Sequence, residues 1–117
     1  MKIAILLPFK ENFSPIYAGA VSLFINDTNK YSEFKNKTTV YGNTEFKKIF
    51  KGKYINIPVN KNIFQSSNKQ YVNKFISIEK KKKSNLIEIH NRPSYLRYLT
   101  KDLNNRNYIL YFQFVLF

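Results

Sequence analysis

Residues 2–7 read KIAILL, a near-continuous apolar run of strand length that Pro8 closes. No other feature limits the fold as much. Successive side chains of a strand point to opposite faces, so a strand without polar alternation needs an apolar layer on both sides. That is the position of a strand in a parallel sheet covered by helices. "LIEIH" at residues 86–90 is a second short run of strand type.

The segments between them have helical and strand periods in turn. A loop, "PFKENFSP", follows the first strand. Ser14 as N-cap and Pro15 as first helical residue start a helix to about Lys30, with Val21, Phe24 and Ile25 on its buried face. "TTVYG" at residues 38–42 and "KYINIP" at residues 53–58 are strands. Between them, "NTEFKKIFKGK" offers one or two helical turns at most. Over residues 61–83, Tyr71, Phe75 and Ile78 share one stripe with Val72, Ile76 and Glu79 beside it, which is helical spacing. "PSYLRYLTKDL" is the next helix and "NYILYF" the last strand. The order β-α-β-β-α-β-α-β predicts an α/β fold: a Rossmann-like, doubly wound, mostly parallel sheet with helices on both faces. At 117 residues it forms one domain.

Composition removes several kinds of chemistry. Without cysteine there are no disulfides and no thiolate metal sites, and one histidine gives no metal-ligand spacing. GxGxxG, the P-loop and GxSxG are absent, and the acidic residues show no acid/base couple. Neither end reads as a membrane span or a cleaved leader: the tail "YILYFQFVLF" is about 10 residues, against roughly 17–25 for a spanning helix. The formal net charge of +13 favours anionic lipid, phosphate or nucleic acid. Over-use of Lys, Asn, Ile, Phe and Tyr is also what an AT-rich coding sequence produces regardless of function. The lysines are spread along the chain rather than gathered in a stripe with interleaved aromatics, which weighs against nucleic acid as partner. The run "EKKKK" at the end of the long helix complements its macrodipole or meets an anionic membrane surface.

In open parallel sheets ligands bind beyond the carboxyl ends of the strands. If the first and fourth strands are neighbours, in the order 3-2-1-4-5, the segment "IYAGAVS" and "HNRP" flank the switch point. Gly19, with Ala18 and Ala20, lets a ligand approach the backbone near a helix start, where free N–H groups favour anions. His90 can donate or accept a hydrogen bond, Arg92 can pair bidentately with a phosphate or carboxylate, and Pro93 suits a first helical turn. Structural alternatives stand beside each: close helix–sheet packing for Gly19, a satisfied strand-end imidazole for His90, and a solvated loop charge for Arg92.

"MKIAILLPF…SPIYAGAVSLFINDTNKY" followed by "NLIEIHNRPSYLRYLTKDLNNRNYILYF" resembles the N-terminal half of a GT-B glycosyltransferase of the family-4-like kind, over the chain to about Phe112. The resemblance implies an acceptor-side domain of residues 1–117 with Gly19 and Ala20 near the donor diphosphate and acceptor, and His90, Asn91 and Arg92 lining the cleft. The implied reaction moves a sugar from a nucleotide-sugar to a sugar or lipid-linked acceptor hydroxyl, with retention and with no metal or cofactor. It further implies a cytoplasmic place, in solution or peripheral at the inner face of the membrane. Two departures accompany it. Residues 113–117 read QFVLF where a polar loop with histidine is expected, and the second Rossmann-like domain that holds the donor is missing. The chain is therefore expected to be a fragment, inactive alone. His90 and Arg92 are expected at the carboxyl end of the sheet near Gly19, with His90 partly accessible and Arg92 without a buried carboxylate partner. The rival expectation is a non-catalytic basic domain on nucleic acid or an anionic membrane.

Overall fold

The computed structural model describes residues 1–61 and 64–112. Five strands, β1 (Ile3–Leu6), β2 (Thr38–Gly42), β3 (Lys53–Asn56), β4 (Leu86–His90) and β5 (Asn107–Tyr111), form one sheet. Its order is β3-β2-β1-β4-β5 and every pairing is parallel. Three helices complete it: α1 (Ala20–Lys30), α2 (Ser67–Lys82) and α3 (Pro93–Asp102). The Rossmann-like α/β arrangement read from the apolar runs is the observed one, with β1 and β4 adjacent.

The alternation of β1 builds two cores. Ala4 and Leu6 pack with Tyr41, Ile87 and Ile89 of the sheet against Tyr71, Phe75 and Ile76 of α2 and Tyr95 and Leu99 of α3. Ile3, Ile5 and Leu7 face the other way and pack with Val40 against Val21 and Ile25 of α1. Two helices thus lie on one face of the sheet and one on the other, which accounts for an apolar β1 buried at all four positions. At roughly 25 cal/mol per Å² of apolar surface removed from water, this burial is the main stabilising contribution.

Four local readings need correction. Helix α1 begins at Ala20 with Gly19 as N-cap, not at Pro15 with Ser14. The Ser14 hydroxyl instead accepts from the Ile16 N–H, closing a turn, and Tyr17 takes the left-handed region at φ 52°. Phe24 is 42% exposed, on the flank of α1 rather than its buried face. Helix α2 begins at Ser67 because the Ser66 side chain accepts from the Lys69 N–H; of the earlier helical residues expected, 62 and 63 lie outside the described ones. No helical turn forms over residues 43–52. The backbone N–H groups of Thr44 and Glu45 go to the side chains of Asn56 and Asn12, and Phe50 packs edge-on against Phe13, so the segment is held as an irregular connection. A short 3₁₀ turn at Lys35–Lys37, without a sequence signal, leads into β2. The apolar tail at 113–117 lies outside the described residues.

Candidate functional site

The order of the strands sets the β1–α1 connection and the start of α3 side by side at the carboxyl edge. The β1–α1 connection is tied down from both sides. The Phe9 N–H donates to the Tyr95 hydroxyl of α3, which itself donates to Asn68 Oδ1 of α2 at 2.6 Å. The Phe13 N–H donates to Thr44 Oγ1, which lies 2.7 Å from the Tyr54 hydroxyl. Burial raises both phenols, Tyr95 and Tyr54, above their ordinary range, so they stay protonated. A rim pinned in this way is preorganised.

At its α1 end the rim differs from expectation. Glu11 lies across the start of α1, and its Oε1 accepts from the Ser22 N–H at 3.0 Å. A Cβ on Gly19 would overlap the Glu11 carboxylate. The position that free helix N–H groups offer to an anionic ligand is thus taken by the chain's own anion. Gly19 is required there to admit that side chain. The pairing spans eleven residues, and only the four-residue capping pattern has a local sequence signature. Ala20, the first residue of α1, is exposed.

"HNRP" has a structural use at every position. Asn91 turns the chain in the left-handed region at φ 54°, which asparagine tolerates better than most residues. Its N–H donates to the Tyr111 carbonyl at 2.9 Å. Arg92 caps α3 from an exposed position, its Nη1 donating to the Asn91 carbonyl, and Pro93 supplies the first helical turn. Among the described residues no carboxylate pairs with Arg92; its side chain is exposed and hydrogen-bonds to the Tyr95 phenol.

His90 ends β4 at the expected edge, but it is 1% exposed rather than partly accessible. Its side chain lies on the α1 face. There it stacks on Tyr111, its partner across the β4–β5 ladder, with ring centroids 4.8 Å apart and planes within 5°. Phe24 of α1 approaches both rings, at 6.2 and 6.3 Å. Neither ring nitrogen of His90 has a hydrogen-bond partner. Nε2 is 3.6 Å from Glu88 Oε2, two residues back on the same face, too far for a formed hydrogen bond. Burial, with the Glu88 carboxylate adding to it, raises the Tyr111 phenol.

The rim therefore brings together Asn91 and Arg92 at the surface and the Gly19–Ala20 start of α1 under Glu11, with His90 beneath the surface. Glu11, Tyr95, Thr44 and Tyr111 were not singled out from sequence. Among the described residues no group of three or more His, Asp and Glu side chains is placed to hold a metal ion, and no helix is long and apolar enough to cross a membrane. No protein-family model matches the chain, and neither any curated protein nor any solved structure matches it.

Proposed function

We infer that this domain is the acceptor-side half of a GT-B glycosyltransferase of the family-4-like kind, as the motifs "YAGA" and "IEIHNRP" suggest. The observation that supports it best is the adjacency of β1 and β4, which sets both motifs at one switch point of the sheet. In this reading the exposed Arg92 guanidinium turns from the Tyr95 phenol and the Asn91 carbonyl to the acceptor or to donor phosphate oxygens. Gly19 admits the Glu11 side chain over the start of α1, and the exposed Ala20 beside it faces the place where the substrates meet. His90 orients a hydroxyl once Phe24 or Tyr111 moves off it. A second Rossmann-like domain supplies the nucleotide-sugar site, and transfer proceeds with retention to a sugar or lipid-linked acceptor at the cytoplasmic side of a membrane.

A second reading, a basic non-catalytic domain on an anionic membrane or nucleic acid, rests on the exposed lysines at positions 80–83. One pair of measurements separates the two. The genomic DNA just downstream is read for a frame encoding a second Rossmann-like domain, and the two-domain protein is assayed for sugar transfer. The glycosyltransferase reading expects that frame, transfer activity, and a rise in acceptor KM on Arg92→Ala. No such frame, together with DNA or anionic-vesicle binding that falls steeply with salt, overturns it.

A further inference from the structure

A second concavity lies on the α1 face, toward the amino edge of the sheet, and includes none of Gly19, Ala20, His90, Asn91 or Arg92. Its walls are the last turns of α1, the 3₁₀ turn before β2 and the segment leading into β3. Its volume is about 610 Å³, within the range of small-molecule sites. Three lysines, Lys30, Lys35 and Lys51, are among its lining residues, and no acidic residue is. Asn26, Asn29 and Asn36 line it as well, and so does Phe50, half-buried against Phe13.

The charges here have little to do within the chain. Lys30 is 3.8 Å from Asp27 with both groups well exposed, a pairing that contributes little. Lys35 and Lys51 have no side-chain partner among the described residues, and neither do the three carboxamides. Lys53 is different: its Nζ donates to the Asn36 carbonyl and so braces the wall. Three like charges around one concavity repel each other, and an anion placed between them removes that repulsion. Lysine meets phosphate as a point charge, carboxamide N–H groups meet its remaining oxygens, and an aromatic floor accepts a ring. The absence of carboxylates from the lining argues against cationic ligands.

We propose that this groove binds a small organic polyphosphate, its phosphates among Lys30, Lys35 and Lys51 and its ring against Phe50. The site is independent of the carboxyl-edge rim and stands or falls without it.

The test titrates the ¹⁵N-labelled full chain with ATP and, separately, with inorganic tripolyphosphate. Saturable one-site binding is expected, with amide shifts centred on Asn29, Asn36, Phe50 and Gly52. The double reversal Lys35→Glu with Lys51→Glu should weaken ATP at least about tenfold, the loss of roughly one charge-assisted hydrogen bond. Lys80→Glu with Lys81→Glu changes net charge equally but lies at the end of α2, and should leave affinity within about twofold by the same scale. Phe50→Leu should weaken ATP and spare tripolyphosphate. The amide spectrum of each variant shows that it is folded. Equal weakening by the two double reversals, shifts spread over the lysine-bearing surface, or ATP affinity unchanged in Phe50→Leu overturns the proposal. So does tighter, salt-steep binding of a single-stranded oligonucleotide or of phosphatidylserine vesicles.

Discussion

At the scale of single residues, the carboxyl edge is built around two side chains in unusual positions. Glu11 caps α1 from outside the helix, so Glu11→Ala leaves the Ser22 N–H without its acceptor. The expected loss is about 1 kcal/mol, read from the urea midpoint, while Glu11→Gln, whose carboxamide oxygen still accepts, keeps most of it. A loss as large in the glutamine variant would show that charge, rather than the hydrogen bond, carries the cap. His90 presents the opposite case. Its two nitrogens are buried without partners, and each such group costs about 1–3 kcal/mol. Replacing it with an apolar ring of similar shape removes that cost, so His90→Phe should be neutral or stabilising by up to about 2 kcal/mol, less any strain from the larger ring. A fold kept at that cost for a ligand would show stability retained and acceptor binding lost. Strong destabilisation by His90→Phe would mark the imidazole as a structural group and remove it from the proposed cleft.

At the scale of elements, the helix ends hold the clearest adjustable energy. Helix α2 ends with Lys83 in the left-handed region, φ 56° and ψ 54°, its N–H donating to the Glu79 carbonyl at 2.8 Å. A side chain there is strained, and glycine is the residue that adopts this cap freely. Lys83→Gly is expected to stabilise the fold by about 0.5–1 kcal/mol, visible as a rise in thermal midpoint. A fall would mean that the lysine's favourable charge at the helix end outweighs its backbone strain. The strands and the three helices were legible because each rests on a local pattern: an unbroken apolar run for β1, a short run of strand type for β4, and a 3.6-residue stripe for α2; the order of the strands entered only as a condition, which no local period could decide. The start of α3 at Pro93 was legible too; those of α1 and α2 were not, because they were decided by contacts that period does not record. Ser66 won the start of α2 over residue 61 through one hydrogen bond, and Glu11 fixed α1 from eleven residues upstream. The carboxyl-edge position of His90 followed from the same apolar run, but its burial did not. That depends on β5 bringing Tyr111 into register with it and on Phe24 leaning over both, two relations between elements far apart in the chain.

At the scale of the whole molecule, two buried tyrosines couple the core to alkaline pH. Tyr41 and Tyr71 are both fully buried, the first donating to Glu79 Oε1 and the second to the carbonyls of Leu7 and Tyr41. Burial raises both phenols, with the Glu79 carboxylate adding to the effect on Tyr41 and neighbouring phenols to that on Tyr71. Below about pH 10 the folded and unfolded chains hold these protons alike, and the contribution to stability is fully present. Above it the unfolded chain releases them while the folded chain does not. The unfolded state then binds fewer protons, and stability falls as pH rises, by up to about 1.4 kcal/mol per pH unit for each tyrosine, until the raised folded value is passed. On a chain of net charge +13, any fall in self-repulsion with rising pH works in the other direction. The two effects separate in Tyr71→Phe. That variant gives up one O–H donor shared between two carbonyls, so it should be less stable than the parent near pH 8, by about 1–2 kcal/mol. It keeps every lysine but has one fewer buried phenol to ionise, so its stability should fall less steeply above pH 10. Urea midpoints taken at intervals from about pH 8 to 11, with tyrosinate absorbance followed in parallel, measure both slopes. Parallel curves for parent and variant would show that Tyr71 ionises in the folded chain as easily as in the unfolded one, and would deny the core this role.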